Sequence, residues 1–203
     1  MVWLYAIGNQ KDNQEDNEKD TEKDNEAMSL TVDTKPQTAG QSDSFMPRAE
    51  YPRPILVRDQ WQSLNGSWLF RVDPDNRGLI DAWFDGLWPD GQTITVPFSM
   101  ESAASGIAAT EGAAVVWYQR EVIKPEAWDS RIVLRIGASD FLTRVFVNGQ
   151  EVGQHRGGFA SFGLDIQHAL MPGRNRITIR VEDSLSWTQP RGKQAGTTRW
   201  PID

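Results

Sequence analysis

The sequence predicts an all-β fold, an antiparallel β-sandwich of jelly-roll type, on three observations. Short stretches after Arg53-Pro54 alternate apolar and polar side chains with a period of two. Glycine and proline punctuate them, and helical periodicity is nearly absent. The pair Asn148-Gly149 stands between two β-rich runs, Val145–Val147 and Gln150–Val152, as a type I′ hairpin turn with positive φ at both central residues requires.

Taken along the chain, strands are expected at Ser67–Val72, Thr93–Phe98 and Val115–Ile123. Arg131–Ile136 follows, with Ile132, Leu134 and Ile136 on one face and Arg131 and Arg135 on the other. After the Asn-Gly hairpin come Phe162–Asp165 and Arg176–Val181. In the last, Ile177, Ile179 and Val181 are expected to face a core, with Arg176, Thr178 and Arg180 toward water. One short helix is expected over Leu79–Phe84, where Leu79, Ile80 and Trp83 form an apolar stripe. Eight of the nine tryptophans lie after residue 60, and in an all-β domain each is read first as core filling, second as a sugar-stacking platform.

The first 46 residues read differently. Residues 11–26 hold eight acids and three lysines without one apolar side chain, so they lack the burial that would offset the entropy of ordering. Residues 1–46 are therefore expected to be a disordered acidic tail, and 47–203 the sandwich. Whether that tail is genuine or an upstream artefact, with Met28 or Met46 as the true start, composition leaves open. The tail carries most of the formal charge of −7, which leaves no basic face for nucleic acid. Val2–Gly8 has no basic residues ahead of it and is too short for a signal core, so a cytoplasmic location without a membrane span is expected.

Motifs that carry chemistry are scarce. There is no cysteine, no G-x-S-x-G elbow, and no metal-ligand spacing around His155 and His168. Asp73-Pro-Asp-Asn-Arg-Gly78 opens like a calcium loop, but Arg77 occupies a ligand position, and a turn is the better reading. Neighbouring Glu182 and Asp183 would point to opposite faces of a continuing strand, so they cannot form the facing carboxylate pair of a glycosidase. No catalytic residue, metal or cofactor is expected.

The order of short motifs resembles the N-terminal sugar-binding domain of glycoside hydrolase family 2, from Pro52 to Asp203. The pieces are Arg53-Pro54, Leu64-Asn-Gly-Ser-Trp-Leu-Phe70, Val96-Pro-Phe-Ser-Met-Glu-Ser102 and Trp117-Tyr-Gln-Arg120. Arg135–Asp140, Val145–His155, Gly157-Gly-Phe159, Phe162–Ile166, Asn175-Arg-Ile177, Val181–Ser184 and Pro190–Gln194 continue the series. The resemblance implies a galactose-binding-domain-like jelly roll, followed in relatives by an immunoglobulin-like domain and a (β/α)₈ barrel with the catalytic glutamates. Relatives usually continue past a position like Asp203 into a Gly-Ile-Trp strand, so the sandwich is expected to lack its last strand and to leave a sheet edge unpaired.

The implied function is that of the non-catalytic N-terminal domain of a retaining exo-β-glycosidase of β-galactosidase or β-glucuronidase kind, inactive by itself. Its partners would be the downstream domains and, through the barrel, a carbohydrate substrate. Asp165 matches an aspartate that contacts substrate in some β-glucuronidase-like members, and Ser99 matches a sugar-contacting Asn in some β-galactosidases. A turn-capping role for Asp165 and a strand-terminal turn for Ser99 stand beside those readings. Two other functions stay open, a free-standing carbohydrate-binding module and a non-functional gene fragment.

Overall fold

The computed structural model describes the backbone of residues 4–7, and residues 46–51 and 58–183. Ten strands form two antiparallel sheets. They are β1 (Leu4–Ile7), β2 (Trp61–Ser63), β3 (Gly66–Val72), β4 (Gln92–Val96), β5 (Val115–Lys124), β6 (Val133–Ile136), β7 (Leu142–Val147), β8 (Gln150–Arg156), β9 (Phe162–Asp165) and β10 (Gly173–Glu182). One sheet has six strands in the order β4-β3-β5-β10-β7-β8, the other four in the order β2-β1-β6-β9.

β10 holds the centre of the larger sheet. It pairs with β5 from Gly173↔Lys124 to Glu182↔Val115 and with β7 from Ile177↔Val147 to Glu182↔Leu142. The alternation read from its sequence sends Ile177, Ile179 and Val181 inward, where they meet Trp68, Phe70 and Tyr118 of the same sheet and Leu134 and Ile136 of β6. These inner faces make the sandwich core. The Asn-Gly hairpin forms as expected, with φ of 52° at Asn148 and 86° at Gly149.

Thr178 and Arg180 are not toward water, as alternation suggested, but are 1% and 2% exposed. The segment between β3 and β4 folds over the outer face of β5, β10 and β7, and a second apolar cluster of Trp88, Val115, Trp117 and Phe146 fills the space beneath it. A sheet covered on both faces loses the alternation that marks a half-wet sheet. Gln119 stitches the cover down: its Nε2 donates to the Gly86 carbonyl at 3.0 Å and the Thr178 hydroxyl at 3.2 Å, while its Oε1 accepts from the Trp88 amide at 3.1 Å.

The same segment corrects the expected helix at Leu79–Phe84, which is a series of turns. Ala82 has a φ of 51°, outside the helical region, and the Trp83 amide reaches back to the Gly78 carbonyl, out of the i→i−4 pattern. Buried Asp73 takes over the organising role. Its carboxylate accepts from the amides of Arg77 and Gly78, both at 2.8 Å, and from the indole N–H of Trp117 at 3.0 Å. The motif read as a turn is thus a turn, closed by its own first residue.

One expectation about the chain's ends changes. Leu4–Ile7, placed in the disordered tail, forms β1 and pairs with both β2 and β6. β6 is bordered by β1 on one side and β9 on the other. Residues 8–45 and the stretch Pro190–Gln194 lie outside the described residues, as does the position of the expected missing strand.

Two outcomes are expected from these packing arrangements. Asp73→Ala leaves two buried donors and one part-buried donor unpaired and should lower stability by about 3 kcal/mol, against a change within about 0.5 kcal/mol for exposed Asp75→Ala, measured by urea unfolding. Burial, reinforced by the charge of Glu101, pushes the Tyr118 phenol up to about 12 from an ordinary 10.0. The folded state therefore favours the neutral phenol, a contribution complete below pH 10.0 and lost as pH rises toward about 12. Tyrosinate absorbance should show one late-titrating tyrosine that Tyr118→Phe removes, together with a shallower alkaline loss of stability.

Candidate functional site

At one end of the sandwich three chain segments converge around an open cleft of about 540 Å³. The first is the turn that ends β4. Val96 is buried and fixes the strand's last residue, the Phe98 amide closes a turn on the Thr95 carbonyl at 3.1 Å, and the Ser102 amide closes the next on the Ser99 carbonyl at 3.0 Å. Ser102 then caps a short 3₁₀ turn, accepting from the Ala104 amide at 3.3 Å. Buried Ser105 ties this turn down by donating to the Ser102 carbonyl at 2.7 Å and accepting from the Ile107 amide at 3.0 Å. These bonds hold Ser99 and Glu101 at the cleft wall.

The second segment is the loop Ala138–Phe141 that enters β7. Buried Ser139 accepts from the Thr143 hydroxyl at 2.7 Å, the Phe141 amide donates to the Glu182 carbonyl at 3.2 Å, and the Phe141 carbonyl accepts from Gly157 at 2.8 Å. Gly158 is demanded here by close approach, since a Cβ on it would lie 2.4 Å from Asp140 Cγ. The third segment is Asp183, the residue after β10, whose amide donates to the Ala114 carbonyl at 2.8 Å. Val116, Tyr118 and Val181 form the apolar floor.

The cleft therefore presents three carboxylates, Glu101, Asp140 and Asp183, beside the hydroxyls of Ser99, Ser139 and Tyr118, and among the described residues no cation lines it. Such a set accepts hydrogen bonds from the hydroxyls of a neutral polyol and repels an anion. Glu101 is exposed, while Asp140 and Asp183 are half-buried at an open mouth.

Of the two substrate-contact residues read from the sequence, Ser99 lines this cleft and Asp165 does not. Asp165 ends β9 with its carboxylate exposed, accepting from Arg131 Nε at 3.0 Å and from the Gln167 amide at 3.1 Å, where it restrains the 3₁₀ turn Gln167–Ala169. His155 stacks on Phe162 with ring centroids 4.0 Å apart, and His168 lies in that 3₁₀ turn. The described residues hold no cluster of histidines and carboxylates able to bind a metal ion, and no helix long and apolar enough to cross a membrane.

Sequence reasoning missed Glu101, Asp140 and Asp183 as a group. They stand on three segments far apart in sequence, and no local spacing announces that the ends of β4 and β10 and the start of β7 meet. The available signal was indirect: all three fall inside the motif pieces around Val96-Pro97, Arg135–Asp140 and Val181–Ser184.

Comparison with known proteins places this geometry in context. Residues 61–194 match the sequence profile of the glycosyl hydrolases family 2 sugar binding domain. A β-glucuronidase of Paenibacillus borealis is 38% identical over 146 residues, 70% of this chain and 24% of that enzyme. Human β-glucuronidase is 37% identical over 167 residues, 75% of this chain and 25% of the enzyme. Among solved structures, the β-glucuronidase from Ruminococcus gnavus in complex with a C6-substituted uronic isofagomine superposes with a TM-score of 0.56 at 31% identity, covering 62% of this chain and 22% of that one. A Lactobacillus rhamnosus β-glucuronidase gives 0.56 at 32% identity, over 62% and 21%. The chain thus spans about a quarter of the length of the relatives it matches. With the profile matched from β2 past the end of β10 and the sandwich superposing on the same enzymes, the chain belongs to glycosyl hydrolase family 2, as its sugar binding domain.

Proposed function

We propose that this chain is the N-terminal, non-catalytic domain of a retaining exo-β-glycosidase that acts on β-glucuronides. Its work is to present the cleft wall around Ser99 to a substrate held by downstream immunoglobulin-like and barrel domains. The observation that carries the reading is the match of residues 61–194 to the family's sugar binding domain, together with alignments that cover only about a quarter of each β-glucuronidase. The charge of the cleft adds a constraint. A uronate carboxylate is repelled by Glu101 and Asp140, so in this reading the anionic end of the sugar faces the downstream domains, and neutral hydroxyls face Ser99.

The rival reading, a free-standing carbohydrate-binding module, draws little support from the tryptophans. Among the described residues Trp68, Trp88, Trp117 and Trp128 are buried, and Trp61 and Trp83 are half-buried. None offers the exposed ring face on which a sugar stacks.

The purified chain should show no turnover of an aryl β-glucuronide above the buffer rate, and no heat of binding to millimolar glucuronic acid in titration calorimetry. Turnover abolished by Glu101→Gln would refute the scaffold reading, and glycan binding would favour the module. When this domain replaces its counterpart in a full-length relative, Ser99→Ala should raise KM about 2- to 10-fold, the cost of one hydrogen bond, with Tm unchanged. In the same chimera Asp165→Ala separates the two roles of that residue. A KM effect absent from Arg131→Ala marks substrate contact, whereas equal losses of stability in both variants mark a turn cap.

A further inference from the structure

The Asn148-Gly149 turn that closes the β7–β8 hairpin also carries a latent chemistry. Asparagine is a thermolabile residue, and most so before glycine, where no side chain shields the next amide. Once deprotonated, the Gly149 nitrogen bonds to Asn148 Cγ while ammonia leaves from the carboxamide, and water then opens the resulting succinimide at either carbonyl. The products are aspartate, or isoaspartate with the main chain rerouted through the former side chain. Ring closure requires the carboxamide to turn until Cγ meets the Gly149 nitrogen.

In the folded chain the carboxamide is held on both sides. Asn148 Nδ2 donates to the Ala169 carbonyl and to Asn175 Oδ1, each at 2.8 Å, and Asn148 Oδ1 accepts from the Arg176 amide at 2.9 Å. The Asn148 amide donates in turn to the Arg176 carbonyl at 2.9 Å. Asn175, 2% exposed, is itself fixed, its Nδ2 donating to the Met171 carbonyl at 2.8 Å and its Oδ1 accepting from the Met171 amide at 2.7 Å. The side chain of Asn148 thus locks the hairpin tip to the loop after Ala169 and to the start of β10.

We propose that Asn148 is a fold-gated deamidation site, protected while these bonds hold and converted when the hairpin opens, after which the lock cannot re-form. Aspartate puts a carboxylate oxygen where Nδ2 stood, facing two acceptors, the Ala169 carbonyl and Asn175 Oδ1, with no proton to give either. Isoaspartate adds a main-chain methylene to a two-residue turn and breaks the register that pairs Val147 with Gln150. Either product turns a transient opening into a lasting one. The lock sits where β10 begins and the cleft where it ends, so its loss loosens the end of the sandwich away from Ser99.

A second Asn-Gly pair, Asn65-Gly66, stands in the same chain and serves as an internal standard for the unfolded chemistry. The full chain is incubated at mildly alkaline pH in buffer and in concentrated guanidinium, then digested, and the peptides holding Asn148 and Asn65 are resolved into amide, aspartate and isoaspartate forms by chromatography and mass spectrometry. Both asparagines should convert in guanidinium. In buffer Asn148 should convert at least about tenfold more slowly than in guanidinium, a lower bound on the factor by which closed hairpins outnumber open ones. A smaller slowing overturns the gate, as does an Asn148 that stays intact in guanidinium while Asn65 converts. Asn148→Asp installs the first product directly. Its urea midpoint should fall below that of the unmodified chain at neutral pH, and the gap should narrow as pH falls toward about 4, where the introduced carboxylate regains a proton to donate. No gap at neutral pH, or a gap indifferent to pH, would show that the modified turn re-forms and would overturn the lasting loss.

Discussion

Everything else in this molecule is hung on β10, which is hydrogen-bonded on both edges and covered on both faces. Its ladders to β5 and β7 place the ends of three strands at one edge of the sandwich. The cleft exists because β10 stops at Glu182, β5 starts at Val115 and β7 starts at Leu142 within that shared register. Asp183, Asp140 and the turn carrying Ser99 and Glu101 are thereby positioned by backbone pairing, not by contacts among themselves. The outer cover explains why Arg180 can be buried. Its guanidinium donates to Asn76 at 2.6 Å and Glu182 at 2.7 Å, so a charge that would be costly alone is held by two acceptors.

A cleft wall of carboxylates and hydroxyls over an apolar floor has the groups to orient the hydroxyls of a neutral ligand. The match to β-glucuronidases spans about a quarter of their length. The sheet beneath the cleft fixes the loops that line it. Ser102, Ser105 and Ser139 each spend their hydroxyl on a neighbouring group of their own loop.

Much of the fold was legible because β-rich alternation and a two-residue Asn-Gly turn are local signals. β3, β5, β7, β8, β9 and the inner face of β10 could each be read from a window of a few residues. What could not be read were consequences of distant segments meeting. Burial of Thr178 and Arg180 depends on a cover formed about a hundred residues earlier. The helix expected at Leu79–Phe84 had a genuine apolar stripe, and it gave way because Asp73 fixes the first amides of the segment while Trp83 turns toward Trp88 and Trp117. β2 is three residues long and gave no periodic signal. β1 was absorbed into a tail whose composition argued against order, although its four residues carry none of that charge. For the site, Ser99 was found through a motif, whereas the grouping of Glu101, Asp140 and Asp183 required the register of β10.

Native-state hydrogen exchange tests the role given to β10 most directly. If β10 is the strand on which the rest depends, the amides of Ile177, Ile179 and Val181, with their partners on β5 and β7, should be the slowest to exchange and should open only with global unfolding, tracking its free energy as denaturant is added. The amides of the cleft loops at Ser99–Glu101 and Ser139–Asp140 should exchange through small local fluctuations. If the β10 amides exchange as fast as those loops, independently of global stability, the sandwich is not organised around that strand and the account fails.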